Sequence, residues 1–149
     1  MEACLEVRTS TRGSGQETPG EGFPTRYEDF VPDEVLGSAT YRLDPIAVAQ
    51  WRRVFPADDL GELMPHGMVA VVSMRAYGEV VSRRPPGNIH AGQHFALFRL
   101  PRIGEELVTT VACAAKEIRR ERRRVTLAME TRDKEGPLFT GRMTVLWAA

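Results

Sequence analysis

The chain lacks several features that would assign it to a specialised class of protein. Its 149 residues include only two cysteines, Cys4 and Cys113, which are too few for a disulfide framework. Its 20 basic and 20 acidic residues balance, whereas a nucleic-acid binder is normally basic over a whole face. No apolar run reaches the ~18 residues that a membrane-spanning helix needs. We therefore expect a soluble, cytoplasmic protein with reduced thiols, and neither nucleic acid nor membrane as a partner.

Further absences concern cofactors and targeting. No Gly-rich phosphate loop follows a predicted strand, and no His, Cys and Asp cluster has metal-ligand spacing, so we predict no cofactor and no metal site. The N-terminal sequence MEACLEVRTSTRGSG has no apolar core before a cleavage site, and we expect no secretory signal. Residues 1–24 are rich in Gly, Ser, Thr and Pro, which predicts a disordered tail followed by a single domain over residues 25–149.

One long segment, MPHGMVAVVSMRAYGEVVSRR at residues 64–84, has the pattern of a helix. It is apolar on nearly every side, which predicts a helix that is buried all round. The helix should begin near Pro65–Gly67. Arg83 and Arg84 suit its C-terminal end electrostatically, and the Pro-Pro-Gly that follows should stop it.

The rest of the chain has the two-residue alternation typical of strands with one buried face. Turn-forming residues at 119–122 and 134–136 predict two hairpins. This order of elements predicts an α+β fold in which a curved antiparallel sheet wraps around one long helix. The predicted elements are a strand at 37–43, a short helix at 45–53 with Asp44 as its N-cap, the long helix, and strands at 89–100, 107–118, 123–131 and 138–147.

The segment PHGMVAVVSM, followed by FALFRLPRIGEELVTT, resembles the MaoC-like branch of the hotdog superfamily. In that branch a Pro-x-x-x-Gly-Asp-x-Leu turn follows a strand, and Glu105 stands here in place of the Asp. The hairpin RDKEGPLFTGRMTVLW is also similar to the closing hairpin of these proteins. The resemblance spans Tyr27 to Trp147. It implies the hotdog fold and a homodimer, with the sheets joined edge to edge and a substrate tunnel between protomers.

The same resemblance implies ligands that are acyl thioesters of coenzyme A or acyl carrier protein, and hydration of a 2-enoyl thioester to a 3-hydroxyacyl thioester. Hydratases of this branch carry Asp-x-Asn-Pro-x-His before the central helix, whereas this chain has only FPADDLGELMPHG. Asp58 and Asp59 are the carboxylates nearest the expected Asp. Three functions therefore stay open: a hydratase or dehydratase, a thioesterase on the same fold, and a non-catalytic acyl-thioester-binding protein.

The candidate catalytic residues are Gly67, His66 and Asp58. The N–H of Gly67 in the first helical turn could hold a thioester carbonyl as it becomes enolate-like, or the glycine could serve only close packing. The His66 imidazole could act as acid or base, or cap the helix. Asp58 could activate water, and Asp59 and Met68 are assigned to substrate binding. Both aspartates could equally be exposed loop residues.

Two further candidates lie downstream. An extended strand would place His90 and His94 on the same face together with Gly92 and Ala96, which leaves room for a ligand; His94 is the assigned substrate-binding residue. Histidines on such a strand could also be purely structural. The basic stretch KEIRRERRRV at residues 116–125 could contact coenzyme A phosphates or an acidic carrier protein, or form a solvated hairpin tip.

Overall fold

The computed structural model describes residues 25–148, so the predicted tail and Cys4 lie outside the described residues. Within that range no helix is long and apolar enough to cross a membrane. The elements are α1 Pro45–Val54 and α2 Met68–Val80, the strands β1 Val35–Arg42, β2 Ile89–Leu97, β3 Glu106–Arg119, β4 Arg122–Asp133 and β5 Gly136–Trp147, and short 3₁₀ turns at Tyr27–Asp29 and Pro56–Asp58.

The five strands form one antiparallel sheet in the order β1-β3-β4-β5-β2. Both predicted hairpins are confirmed, since β3 pairs with β4 and β4 with β5 across two-residue turns. The helix α2 packs against one face of this sheet, as the sequence predicted. The edge strands are β1 and β2, and β2 offers an unpaired row of backbone N–H and C=O groups along its outer side.

Two clusters of buried side chains run along α2 and fix its direction on the sheet. The first half of the helix, including Met68 and Val72, packs with Leu107 and Phe139. The second half packs with the residues at the opposite end of β4 and β5. The N-terminus of α2 therefore lies at the sheet end that carries the β4–β5 turn, and its C-terminus at the end that carries the β3–β4 turn.

The prediction that α2 is buried all round is wrong for the single chain. Its buried side includes Val69 and Ala76, but Met74 is 41% exposed, Ala70 is exposed and Val71 is only half-buried. The sheet covers one side of the helix, and on the other side Trp51 of α1 lines a groove together with Ala70, Val71 and Met74. The result is an uncovered apolar face.

The electrostatic prediction for the end of α2 is confirmed for Arg84, whereas Arg83 has no such contact in the described residues. The guanidinium of Arg84 reaches carbonyl oxygens of the last turn, at 2.8 Å from the oxygen of Val81 and 3.2 Å from that of Gly78. It also lies 4.8 Å from the ring centroid of Tyr77. At the start of α1, the Asp44 carboxylate accepts a hydrogen bond of 2.8 Å from the N–H of Ile46, so it is the predicted N-cap.

The prediction that His90 and His94 share a face is wrong. The register of β2 against β5 shifts between His90 and Gly92, because a β-bulge inserts one residue there. A one-residue shift reverses the face of every later side chain. His90 therefore lies on the face that packs against α2, where its Nε2 is 3.1 Å from Oε1 of Gln93, whereas His94 lies on the opposite face.

Candidate functional site

The most densely hydrogen-bonded side chain near the N-terminus of α2 is the carboxylate of Asp58. Its Oδ2 accepts hydrogen bonds of 2.9 Å from the N–H of Gly67 and from the indole N–H of Trp51. Its Oδ1 accepts a hydrogen bond of 2.9 Å from the N–H of His66 and lies 3.7 Å from that residue's Nδ1. Asp58 thus binds the donors that the start of a helix leaves without an intrahelical partner.

The fold brings these groups together through the end of α1. Trp51 is in the last turn of α1, and its ring contacts that of Phe55, with the centroids 4.5 Å apart. The 3₁₀ turn Pro56–Asp58 follows α1 and brings the Asp58 carboxylate within hydrogen-bond distance of the Trp51 indole N–H. The N–H of Met64 donates to the carbonyl of Pro101, which fixes the start of α2 against the turn that follows β2.

Gly67 is required at its position by close packing. A β-carbon there would lie 2.3 Å from Cζ2 of Trp51 and 3.2 Å from Oδ2 of Asp58. The structure thus provides the packing role that the sequence left open for this glycine. The proposed carbonyl-binding role remains a prediction, and in the structure the Gly67 N–H donates to Asp58.

The electrostatic state of Asp58 follows from two opposing effects. Partial burial alone would raise its pKa, but the hydrogen bonds from Gly67, Trp51 and His66 together outweigh that cost and hold the pKa below the ordinary value. The carboxylate is therefore ionised at neutral pH. His66 is 60% exposed, so its imidazole is open to solvent while the partner carboxylate is 20% exposed.

An apolar groove of about 460 Å³ extends from Gly67 along the uncovered face of α2. Ala70, Val71 and Met74 line it, Trp51 forms one wall, and Arg75 closes the far part. One residue that lines the groove, Gly67, donates its N–H to Asp58, and the groove continues from there over hydrocarbon side chains.

The other predicted site residues do not join this pair. Asp59 turns away, where its Oδ1 lies 3.0 Å from Nε of Arg52 and accepts a hydrogen bond from the N–H of Gly61. The side chain of Met68 is buried in the core at 2% exposure. His94 lies on the sheet face opposite α2. Their assignment to substrate binding remains a prediction that these positions do not favour.

Two arrangements were not predicted from the sequence. Trp51 is seven residues from Asp58 in an ordinary helical context, so no local pattern indicates that they meet. Arg99 forms a bidentate pair with the buried carboxylate of Asp133, with N–O distances of 2.6 and 3.0 Å, which ties the end of β2 to the β4–β5 turn.

Among residues 25–148, no group of three or more His, Cys, Asp or Glu side chains could hold a metal ion.

No family model and no curated protein sequence matches the chain. Solved structures do match it. A MaoC-like dehydratase from Rhodospirillum rubrum is 19% identical, with 83% of this chain and 97% of that chain covered and a TM-score of 0.69. The unliganded R-hydratase PhaJ1 from Pseudomonas aeruginosa is 17% identical, with 82% and 84% covered and a TM-score of 0.64. The HadBC complex, a 3R-hydroxyacyl-ACP dehydratase from Mycobacterium tuberculosis, is 13% identical, with 72% and 90% covered and a TM-score of 0.60.

The chain therefore has the hotdog fold. Its structural neighbours include MaoC-like dehydratases, so the fold predicted by the sequence resemblance is confirmed. Identities of this size establish the fold alone, and the function has to be argued from the site.

Proposed function

We propose that this protein is an acyl-thioester hydratase or dehydratase that interconverts 2-enoyl and 3-hydroxyacyl thioesters. The observation that carries the proposal is the Asp58–His66 pair, with 3.7 Å between Oδ1 and Nδ1, in which Asp58 accepts a hydrogen bond from Gly67, one of the residues that line an apolar groove. The hydratases and dehydratases among the structural neighbours support the reaction class. The acyl chain would lie along Ala70, Val71 and Met74.

In this proposal the two side chains divide the proton transfers of hydration. The Asp58 carboxylate removes a proton from water as the water oxygen bonds to C3 of the enoyl group. The C2=C3 electron pair moves toward C2 and the carbonyl oxygen, and C2 takes a proton from the His66 imidazolium. Asp58 then returns its proton to His66, so one water is added and both groups recover their starting states.

The Gly67 N–H has a specific place in this scheme. It would donate to the thioester oxygen as negative charge develops there. Because Asp58 accepts the hydrogen bond of the Gly67 N–H, the carboxylate would have to turn aside for a thioester oxygen to take its place. Asp58 would then be displaced toward the water that it activates.

A non-catalytic acyl-thioester-binding role is the second candidate. The observation in its favour is that the first N–H groups at this helix end already have acceptors: those of His66 and Gly67 donate to Asp58, and that of Met68 donates to the carbonyl of Pro65. A helix start whose first backbone N–H groups already have acceptors can bind an acyl chain without polarising its carbonyl. The absent Asp-x-Asn-Pro-x-His sequence points the same way.

The deciding experiment measures turnover of crotonyl-CoA and longer enoyl thioesters by the loss of enoyl-thioester absorbance. We expect turnover by the wild type and a loss of at least about a hundredfold in kcat for Asp58→Asn and His66→Ala, the usual range for a lost acid or base. Asp59→Asn is the matched control. The Asp59 carboxylate is next to Asp58 in the chain but faces Arg52, so this variant should keep full activity. Thiol release without hydration would indicate a thioesterase, and tight binding without turnover of any chain length would refute the enzyme.

We also propose that the active form is a homodimer joined along β2. This strand has an unpaired edge, and Met74 on the uncovered face of α2 lines one cavity together with His90 of β2. A second copy would complete the sheet and close the groove into a tunnel. Light scattering of the full chain should give twice the mass of 16.6 kDa, and a monomeric mass at micromolar concentration would contradict this.

A further inference from the structure

The tip of the β3–β4 hairpin carries an unusual concentration of free positive charge. Arg119, Arg120, Arg122 and Arg123, here called the arginine tip, are all exposed and form no ion pair with any residue of the described range 25–148. The basic residues that flank them do have partners. Nζ of Lys116 lies 5.0 Å from the ring centroid of Tyr27, and Arg124 pairs with Glu117 at 3.6 Å.

The arginine tip is not explained by stability. Arg119 lies directly opposite Arg122 across the hairpin, and like charges in that position repel. The two turn residues, Arg120 and Glu121, have φ of 50° and 62°, a left-handed conformation that glycine or asparagine adopts at lower cost. Local features that oppose stability are typical of functional surfaces.

We propose that the arginine tip is the docking surface for an acidic acyl carrier protein, which would deliver the acyl thioester to the site described above. This inference rests on the proposed function and on the proposed dimer, and it specifies the carrier. The formal net charge of the chain is 0, so the arginine tip is a positively charged patch on a protein that is neutral as a whole. Such a patch can steer an acidic partner toward it.

The directions of the arginines favour a protein over the phosphates of a small ligand. Arg119 and Arg122 are paired across the hairpin and share one face, whereas Arg123, opposite Ile118, lies on the other. Arg120 is in the turn itself. A phosphate site needs donors that converge on one point. Arg122 and Arg123 border one cavity of about 610 Å³, but Glu121 also lines it and Arg119 and Arg120 do not, so the four arginines do not form one phosphate site. Ile118, 65% exposed, adds an apolar contact of the kind found within protein interfaces.

The proposed dimer places the arginine tip where a carrier is needed. Within one chain the tip lies at the end of the sheet opposite the N-terminus of α2. β2 runs between these ends, from Ile89, paired with Leu146 next to the tip, to Leu97, close to the turn that holds Met64. A two-fold axis pairs the two β2 strands antiparallel, so the start of one lies beside the end of the other. The tip of one protomer is therefore at the same end as the Asp58–His66 pair of the partner.

The test is calorimetric titration of the full-length protein with a type II acyl carrier protein that bears a crotonyl thioester. The triple variant Arg119→Glu, Arg122→Glu and Arg123→Glu should raise Kd by about tenfold or more, and the neutral glutamine triple by less. Raising the salt concentration should weaken binding by the wild type but hardly affect the glutamate triple.

A control triple with the same change in charge uses exposed residues at other places on the sheet, Arg132→Glu, Lys134→Glu and Arg142→Glu. It should change Kd less than twofold, and thermal melting checks that both triples fold. Equal effects of the two triples, no carrier binding by the wild type, or an equal loss of affinity for crotonyl-CoA in the tip variant would each overturn the proposal.

A small neutral substrate separates failure of this inference from failure of the proposed function. Crotonyl-N-acetylcysteamine has neither a carrier nor phosphates, so the tip variant should turn it over at the wild-type rate. If no thioester is turned over but carrier binding still depends on the tip, the docking surface stands and the enzyme assignment fails. If the tip variant loses turnover of crotonyl-N-acetylcysteamine to the same extent as it loses carrier binding, the tip is not a docking surface.

Discussion

Removal of the Asp58 carboxylate should destabilise the protein by an amount that the local contacts allow us to work out. Asp58→Ala leaves three donors without their acceptor, namely the N–H groups of His66 and Gly67 and the indole of Trp51. A hydrogen bond to a charged group contributes about 1.5–3 kcal/mol when buried, and loss of a helix cap costs about 1 kcal/mol. Because the carboxylate is 20% exposed, water replaces part of what is lost. We expect a net loss of about 2–4 kcal/mol.

Urea unfolding followed by circular dichroism at pH 7 measures this loss. The urea concentration at the midpoint of unfolding should fall, while the slope of the unfolding free energy against urea concentration should stay constant. Asp58→Asn keeps an acceptor oxygen and should lose about half as much. Asp59→Ala is the control. Its side chain is 52% exposed and pairs with Arg52 at the surface, so it should cost less than about 1 kcal/mol. If Asp58→Ala were no less stable than Asp59→Ala, the hydrogen bonds of Asp58 would not hold the start of α2 in solution, and the reasoning would be refuted.

The pH dependence gives an independent check on the same residue. The pKa of Asp58 is lower in the folded protein than its ordinary value of 3.8, because three hydrogen bonds outweigh the effect of desolvation. The unfolded chain therefore takes up a proton first. The stabilisation is fully present above 3.8 and is lost as the pH falls through the lowered folded-state value. The difference in stability between wild type and Asp58→Asn should thus be constant near neutrality and shrink in acid.

Two further predictions concern neighbouring features. Gly67→Ala would place a β-carbon 2.3 Å from the Trp51 ring, so it should cost about 1–3 kcal/mol in urea unfolding; a neutral result would show that the indole moves freely. Asp133→Asn should cost about 2 kcal/mol at pH 7, because the hydrogen bonds of Arg99, against a smaller cost of burial, lower the pKa of Asp133 from 3.8 to about 2. That loss should disappear between pH 4 and 2 as the wild-type carboxylate protonates, and a loss that persists there would contradict the assigned pair.

The sequence predicted the fold because its signals are local and repeated. Asp44 with Pro45 starts α1, the two-residue alternation defines the strands, and two turns define the hairpins. The burial of α2 was harder to predict, because the number of faces that a sheet and a partner cover is a tertiary property. The sequence shows that the helix is apolar at Met74, but it does not show that neither the sheet nor another element covers this side chain.

The candidate site was predictable only in part, for two physical reasons. Asp58 and Asp59 are adjacent and identical, so only the geometry of the 3₁₀ turn decides that one faces Gly67 and the other Arg52. The alternation rule for β2 failed because it takes no account of the bulge just before Gly92; the lone glycine inside the strand is the one sequence feature that indicates such a bulge. Such a bulge inserts one residue and reverses the faces of all those after it.

The hydrogen bond from Gly67 to Asp58 makes the two leading functions give opposite results in one measurement. If Asp58 only caps the helix in a binding protein, it competes with the ligand carbonyl for the Gly67 N–H. Asp58→Asn then weakens the competitor, and acyl-thioester affinity should rise. If Asp58 is a base that turns aside to activate water, the same substitution removes the proton acceptor, and kcat should fall sharply whatever happens to affinity. If Asp58→Asn binds the acyl thioester more tightly than the wild type does and turnover is not reduced, the carboxylate is a cap. If the affinity is unchanged and turnover is lost, the carboxylate is the base.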